Sequence, residues 1–437
     1  MRRVVITGLG VACPLGTDLD AVARAQREGR SGAGPLRAAF DAPGLPIQAA
    51  CRVPEWDLVT SLGPALAAPL LGRGDRKSEF GWFAAISALR AAFGSDDAAI
   101  ATISRLGPRA ALHTASGLVS SLPAEGENDV LACLRPDGSF DHAASFAALA
   151  SPNPLRARHF TDRVNHLLAG RYGFRGPALV NHGACAAGAV AIGTAARWIR
   201  QGRCDLAVAG GFESMIHPFG VLSFQLLGAL SERADCPPHE VSRPFDRTRD
   251  GFVLGEGAGM LVLEAEEQAR ARGATIWGEV RGLGTSMDAH RATAPPPDGR
   301  GAAVAMRAAL LHAGLEGGAI DWINAHGTGT PLNDAAETAA IKAVFGSRGQ
   351  APPVTSSKSG IGHAVAAAGA VEAVLCFLAL RDKILPPTLN LHEPDPDCDL
   401  DYVPLVARDA PQLRAVLSNS FGFGGVNASL VLGEPPR

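Results

Sequence analysis

The chain has 437 residues, of which 47% are hydrophobic and 19% are charged, and its formal net charge is −3. A chain of this length and apolar content can bury a large core, either as two or three domains or as one large α/β unit. The charge balance and the 5% aromatic content exclude a strongly basic face and a base-stacking platform, so we expect no nucleic-acid partner.

Short apolar runs alternate with Ala-rich runs along the chain. The apolar runs predict strands at residues 2–8, 109–117, 204–211, 257–265, 277–284, 320–327, 415–420 and 428–434. The Ala-rich runs predict helices at 78–93, 185–201, 300–313, 335–345 and 363–381. Residues 34–71 and 124–155 are rich in Pro, Gly and Asp and predict loops. The alternation of strands and helices indicates a layered α/β fold.

Two segments resemble membrane signals. The N-terminal "MRRVVITGLGVAC" is too short and too Gly-rich for a signal peptide, and its β-branched residues predict a first strand. Residues 361–380 are numerous enough to cross a bilayer, but they include His363 and Glu372, and nearly half of them are Ala or Gly. We therefore predict a helix buried in a protein core and no membrane span.

Eight cysteines are scattered along the chain, and none of them forms a C-x-x-C pair. This spacing predicts neither a zinc site nor a redox dithiol. Scattered cysteines in a chain of this length are typical of a reducing compartment, so we expect a cytoplasmic protein.

The two halves of the chain share the order of their elements. "VVITGLGVACPLG" resembles "GEVRGLGTSMDAH", since each is a strand followed by Gly-Leu-Gly. In each half an Ala-rich helix, a strand with a Gly turn and a long Ala-rich helix follow. The long helices begin with "GACAAGAVAIG" and "GHAVAAAGAVE". This order predicts one duplicated fold, with residues 1–270 and 271–437 packed as a single unit.

Cys185 lies where a strand ends and the long helix of the first half begins. A lone cysteine is more often a small buried residue than a nucleophile. At a helix N-terminus, however, the partial positive charge lowers a thiol's pKa, and the free N–H groups can hold an oxyanion. His363 takes the corresponding place in the second half, and His326 follows a nearby strand. If the halves pack about a pseudo-dyad, the three side chains meet at one site.

A Cys with two His and no acidic partner is not a protease pattern. Neutral imidazoles donate hydrogen bonds to an enolate or a carbonyl oxygen. The combination therefore favours the generation and stabilisation of a carbanion next to a thioester.

Ordered motifs cover nearly the whole chain, among them "YGFRGPALVNHGACAAGAVAIG", "SRPFDRTRDGFVLGEGAGMLVLE", "NAHGTGTPLNDAAE", "SSKSGIGHAVAAAGAVEAV" and "SNSFGFGGVNASLVL". With these motifs the chain resembles a β-ketoacyl-acyl-carrier-protein synthase of the elongating type, within the thiolase-like superfamily. The resemblance implies a five-layered α-β-α-β-α sandwich of two duplicated halves. It also implies decarboxylative Claisen condensation of an acyl thioester with malonyl-acyl carrier protein, in fatty acid, polyketide or aryl polyene chain elongation.

The resemblance further implies catalytic roles. Cys185 would accept the acyl group, and His326 and His363 would assist decarboxylation and stabilise the enolate. Lys358 matches the lysine of the family's K-S-x-x-G-H run, and Glu337 matches its usual ion-pair partner.

Other implied roles concern the surroundings of the nucleophile. The backbone N–H groups of Cys185 and Phe423 would form an oxyanion hole, and Phe423 would gate the acyl pocket. Thr328 and Thr330 would bind the phosphopantetheine arm. The positions that match a structural monovalent cation site of some relatives are Asn324, Ala325, Glu372, Ser418 and Asn419.

The implied partner is an acidic acyl carrier protein, which carries the substrates on its phosphopantetheine, so that no further cofactor is expected. We expect a homodimer, with a heterodimer of two related ketosynthase-like subunits as the second option. Arg243 and Arg247 are our candidates for contacts with the carrier.

Several positions depart from the family pattern. They are the small residues Ala186 and Ala187 after the nucleophile, the pair Asn181 and His182 before it, Arg291 in "DAHRATAP", and the polar helix 159–174 with Asp162, Arg163, Asn165 and His166. The family's helix is largely apolar or Asn/Ala-rich and meets the partner subunit near the acyl pocket. These departures leave the acyl substrate and the pathway open.

Three other functions would each leave a different signature in the sequence. A non-catalytic partner subunit similar to a chain-length factor is the main alternative, but such subunits usually lack the nucleophilic cysteine. A thiolase would need a second cysteine near the C-terminus, where "SNSFGFGGVNASLVLGEPPR" has none. A Rossmann dehydrogenase would need G-x-G-x-x-G, a spacing that "GLGVACPLG" does not have.

Overall fold

The computed structural model describes residues 2–41, 44–54, 57–72, 74–117, 131, 133–150 and 160–436. The strands of these residues are β1 (Val4–Ala12), β2 (Ala33–Pro35), β3 (Ala49–Cys51), β4 (Ala110–Ser116), β5 (Ala178–Asn181), β6 (Leu206–Ser214), β7 (Leu254–Ala265), β8 (Gly278–Met287), β9 (Trp322–Asn324), β10 (Val354–Thr355), β11 (Ile384–Leu385), β12 (Arg408–Asp409), β13 (Ala415–Gly422) and β14 (Val426–Gly433).

The α-helices of the same residues are α1 (Leu19–Arg27), α2 (Leu58–Leu62), α3 (Pro64–Ala67), α4 (Arg76–Phe93), α5 (Asp96–Leu106), α6 (His142–Ala150), α7 (Arg163–Tyr172), α8 (Ala187–Arg200), α9 (Pro218–Leu226), α10 (Glu266–Ala271), α11 (Arg300–Ala313), α12 (Pro331–Phe345), α13 (Lys358–Ile361) and α14 (Ala368–Asp382). Short 3₁₀ turns at Ala184–Ala186 and Val365–Ala367 precede α8 and α14.

Ten strands follow one another in the order β10-β9-β13-β14-β8-β1-β7-β6-β4-β5. The path divides between β8 and β1, where only two residue pairs, Val5 with Glu279 and Ile6 with Gly278, join the strands. The five strands on either side have the same order along the chain and the same pattern of parallel and antiparallel neighbours. The predicted duplication is therefore visible in the topology.

The helices form three layers around these two half-sheets. α4 packs on β1, β6 and β7, while α11 packs on β8 and β14 at the opposite side. α8 and α14 lie between the half-sheets, because each contacts strands of both. Every residue of α14 from Ala368 to Leu380 is buried. This arrangement is the expected α-β-α-β-α sandwich, and the apolar segment within 361–380 forms its central layer.

No helix in the described part of the chain is long and apolar enough to cross a membrane. The predicted first strand is present, and it extends to Ala12.

The predicted helix boundaries needed correction at their N-termini. The helix predicted from 335 begins at Pro331, because Thr330 caps it and proline is tolerated in a first turn. The helices predicted to begin at 185 and 363 begin at Ala187 and Ala368 instead. In both cases a 3₁₀ turn comes first.

The prediction of loops was incomplete. Residues 34–71 contain β3 and two short helices, and the described part of 124–155 contains α6. Asp141 accepts a hydrogen bond from the Ala144 N–H in the first turn of α6. An aspartate before an Ala-rich run is a helix start signal, which the Pro and Gly content of the segment obscured. Within 124–155, the residues other than 131 and 133–150 lie outside the described part of the chain.

Candidate active site

The 3₁₀ turns before α8 and α14 bring the reactive groups together. Their first residues, Ala184 and Val365, both have positive φ, 47° and 43°. When these two turns are superimposed, His182 corresponds to His363. His363 therefore lies three residues before the position that corresponds to Cys185. The turn nevertheless places the Nε2 of His363 3.0 Å from the Cys185 sulfur.

His326 completes the group from the loop after β9. Its ring and that of His363 are nearly perpendicular, with centroids 5.2 Å apart. One donor atom from each of Cys185, His326 and His363 lies within 4.8 Å of the other two, and all three side chains are buried. The structure thus assembles the three residues that the sequence singled out.

Both imidazoles are neutral and present the same nitrogen to the site. Burial, together with the Lys358 ammonium, holds the pKa of His326 and of His363 well below its usual value. Their Nδ1 atoms are buried, and no described residue hydrogen-bonds to either. A buried N–H without an acceptor is unfavourable, so the ring proton is better placed on Nε2. Each ring is then a donor at Nε2.

Lys358 is buried, and its Nζ donates to Glu372 Oε1 at 2.5 Å. The predicted pairing with Glu337 is therefore wrong. Glu337 instead accepts from the backbone N–H groups of His326 (2.9 Å) and Gly327 (2.8 Å), so it holds the loop that carries the histidine. Burial raises the pKa of Glu372 to about 7, against the opposing effect of Lys358. The positions of Glu337 and Glu372 in the sequence do not show which of them pairs with Lys358.

The expected low pKa of Cys185 is also wrong for the free protein. Burial raises the thiol pKa to about 11, and the Lys358 ammonium and the backbone N–H groups of Phe423 and Cys185 offset only part of this. Cys185 is therefore a thiol at neutral pH, and the groups that stabilise its thiolate are already in place. The same two N–H groups are the predicted oxyanion donors.

Phe423 lies on the turn between β13 and β14, next to the nucleophile. Gly424 and Gly425 have φ of 83° and 79°, a conformation that side-chain-bearing residues rarely adopt. Gly422 packs tightly against the nucleophile, because an added Cβ would lie 3.1 Å from the Cys185 backbone nitrogen.

Sequence reasoning missed Phe252. Its ring meets that of His363 edge to face, with centroids 5.1 Å apart. The "DGFVLGEG" motif that contains it supports the resemblance to β-ketoacyl synthases, but nothing in the motif shows which histidine the ring contacts.

Comparisons with known proteins give the family of the chain. Residues 139–269 match the model of the β-ketoacyl synthase N-terminal domain, and residues 277–392 match that of the C-terminal domain. The chain is 39% identical over 438 residues to a 3-oxoacyl-[acyl-carrier-protein] synthase 2 of Coxiella burnetii, covering 99% of this chain and 98% of the relative. The chain belongs to the β-ketoacyl synthase family.

Solved structures of similar chains include a type II PKS acyl carrier protein in complex with its ketosynthase bound to the hexaketide. The matched chain has a TM-score of 0.85 and 31% identity, and the match covers 99% of both chains. The ishigamide ketosynthase/chain length factor structure is similar over 100% of both chains, with a TM-score of 0.83 and 36% identity.

In this β-ketoacyl synthase a cavity of about 360 Å³ reaches Cys185, His326 and His363. Thr328 and Thr330 line it. Their hydroxyls are 2.9 Å apart, and Thr330 also caps α12. Both residues are thus structural in the free protein, and binding of the phosphopantetheine arm by them stays a prediction.

The residues proposed for a monovalent cation are only partly suited to one. Glu372 Oε2 is buried and has no partner among the described residues, so it is available to a cation. The side chain of Asn419, however, donates to Glu337 and accepts from Ser429. Asn324 is bonded to Ser357 and Ser418. A cation beside Glu372, with Asn324 and Asn419 near it, stays a prediction.

The polar helix predicted at 159–174 is α7, and His159 lies outside the described residues. Buried Asn165 pairs with the Thr114 hydroxyl and the Leu179 carbonyl, both at 2.9 Å. This departure therefore ties α7 to β4 and β5. Asp162 and His166 are exposed.

Proposed function

We propose that this chain catalyses decarboxylative Claisen condensation between an acyl group on Cys185 and malonyl-acyl carrier protein. The observation that carries the proposal is the convergence of one thiol and two neutral imidazoles at the inner end of one cavity. Membership of the β-ketoacyl synthase family supports it, since relatives of this length carry the name of that reaction.

In the first half-reaction the Cys185 sulfur attacks the carbonyl of an acyl thioester. The oxyanion of the tetrahedral intermediate lies against the N–H groups of Cys185 and Phe423. The carrier thiolate leaves and takes up the proton that the Cys185 thiol released. His363 Nε2 carries the ring proton, so it donates a hydrogen bond to the sulfur 3.0 Å away and stabilises the thiolate as it forms.

In the second half-reaction malonyl thioester loses CO₂, and the electron pair of the broken C–C bond forms an enolate. The Nε2–H groups of His326 and His363 donate to the enolate oxygen. The enolate carbon then attacks the acyl carbonyl, and the Cys185 thiolate leaves. The bond electrons come from the malonyl group itself, so the reaction needs no redox cofactor.

The proposed setting is a cytoplasmic assembly with an acyl carrier protein and a second ketosynthase-like subunit, either identical or related. All eight cysteines are unpaired, which suits a reducing compartment. Exposed Leu179 on β5, the outermost strand of its half-sheet, suits contact with a second subunit. Arg243 donates to the Glu240 carbonyl and Arg247 pairs with Glu393, so their predicted contact with the carrier would need rearrangement.

The test is intact-protein mass spectrometry after mixing the protein with a panel of acyl-acyl carrier proteins. We expect the mass of one acyl group on the wild type and none on Cys185→Ala, because no other described cysteine shares the site with the two histidines. The preferred acyl group would indicate the pathway.

No acylation by any donor would contradict the proposal and favour the non-catalytic partner subunit. A Cys398→Ala variant is the matched control, since that buried cysteine lies in another core cluster. It should be acylated like the wild type.

A further inference from the structure

Arg291 is a cation in the cavity that the catalytic steps do not use. Among the described residues that line this cavity it is the one lysine or arginine. Lys358 is 1% exposed and paired with Glu372, so its charge is not available to a ligand. The two histidines are neutral. A substrate anion in the cavity therefore has one accessible positive partner.

Each of the two carboxylates of the cavity accepts a hydrogen bond from a neutral donor. Asn427 Nδ2 donates to Asp288 at 2.7 Å, and the Ser231 hydroxyl donates to Asp250 at 2.6 Å. Within the described part of the chain, Arg291 forms neither an ion pair nor a hydrogen bond, and its side chain is exposed. Arg291 thus lines the cavity with no partner among the described residues, which leaves its guanidinium available to a ligand.

The backbone around Arg291 is held in place. The Ala292 carbonyl accepts from the Gly424 N–H at 2.6 Å, and the Asp288 N–H donates to the Gly425 carbonyl at 2.9 Å. These bonds tie the loop to the turn that carries Phe423. A fixed backbone reduces the entropy lost when the side chain binds a ligand.

The other polar groups on the cavity wall are neutral. Thr293, Thr328, Thr330 and Asn333 offer hydroxyls and an amide, which suit an arm that contains amides and hydroxyls. A guanidinium, in contrast, presents parallel N–H groups that fit two oxygens of a phosphate or a carboxylate.

We propose that Arg291 binds an anionic oxygen group of the carrier-bound substrate. This inference rests on the proposed function. Two groups of that substrate have the required chemistry: the phosphodiester at the root of the pantetheine arm and the carboxylate of the malonyl extender. The exposure of Arg291 places it toward the outer part of the cavity, which favours the phosphodiester.

The experiment compares small thioester donors that differ in one anion. Acetyl-phosphopantetheine and acetyl-pantetheine differ in the phosphate, while malonyl-pantetheine and acetyl-pantetheine differ in the carboxylate. Acylation of Cys185 by the two acetyl donors is followed by mass spectrometry for wild type, Arg291→Gln and Arg291→Lys. Arg300→Gln is the matched control, because Arg300 is an exposed arginine paired with Asp298.

For the wild type we expect a KM that is roughly ten- to hundred-fold lower with the phosphate than without it, as for a charge-assisted hydrogen bond. Arg291→Gln should remove this preference and leave the phosphate-free donor unchanged. Arg291→Lys should keep part of it, and Arg300→Gln should keep all of it.

Calorimetric binding to the Cys185→Ala protein tests Arg291 without acyl transfer. It uses phosphopantetheine, pantetheine and malonyl-pantetheine, with and without Arg291→Gln. A loss confined to malonyl-pantetheine assigns the carboxylate as the ligand. Equal affinities, or equal losses for all three ligands, overturn the inference. If the wild type accepts no acyl group while this binding preference persists, the proposed function fails and the anion site stands.

Discussion

Burial determines the charge of the side chains around the Cys185 sulfur. It raises the pKa of the thiol and lowers the pKa of both histidines, so all three are neutral in the free protein. The charge nearby belongs to the Lys358–Glu372 pair. Residue types and motif order in the sequence indicated which side chains meet at this site. They could not predict these protonation states, because desolvation depends on what surrounds each group.

Replacing His363 by Asn should weaken the acid sensitivity of folding. The folded protein keeps the pKa of His363 well below 6.5, whereas the unfolded chain binds a proton near that pH. Stability is therefore complete above pH 6.5 and falls as the pH drops below it, by about 1.4 kcal/mol per pH unit for this one group. Urea unfolding of wild type and variant between pH 5 and 8 measures the two slopes.

The control is His290→Asn, which makes the same replacement at an exposed histidine outside the buried site. Identical slopes for His363→Asn and wild type would show that folding does not lower the pKa of His363.

At the scale of elements, the site depends on the close approach of α8 and α14. An added Cβ at Gly188 would lie 2.8 Å from the Ala370 nitrogen, and one at Gly369 would lie 3.0 Å from the Ala189 nitrogen. The two contacts are related by the same pseudo-dyad that pairs the 3₁₀ turns. The small residues of "GACAAG" in the first half and "AAAGAV" in the second permit this close packing.

Gly188→Ala should lower the free energy of unfolding by about 1–3 kcal/mol, because the methyl group meets backbone atoms that cannot move aside. Gly170→Ala is the matched control. Gly170 lies in helix α7 with no described atom within 4 Å of an added Cβ, so alanine there should stabilise by up to about 1 kcal/mol. Urea denaturation measures both, and two changes of the same sign would contradict the packing argument.

For the whole molecule, the two half-sheets share one core. The largest cluster of buried apolar residues contains members of both halves, among them Leu9 and Ile192 from the first half and Phe377 and Leu430 from the second. The central layer has one helix from each half, and neither half-sheet can cover its inner face alone. We therefore propose that 1–270 and 271–437 are structural repeats that fold together.

Expressed alone, residues 1–270 should fail to unfold cooperatively, because the inner face of their half-sheet would lose α14. Co-expression with 271–437 should restore a complex with a single thermal transition by calorimetry. A monomeric 1–270 fragment with its own sharp transition would contradict this expectation and show two independent domains.

Hydrophobic periodicity and motif order predict the strands, the long helices and the duplication, and they single out Cys185, His326, His363 and Lys358 as candidates. These patterns are local properties, so they can be read directly from the chain. The pairing of Lys358 with Glu372, the raised thiol pKa and the place of Arg291 on the cavity wall are visible in the folded structure alone. These features depend on contacts between distant segments and on the exclusion of water, which local patterns do not contain.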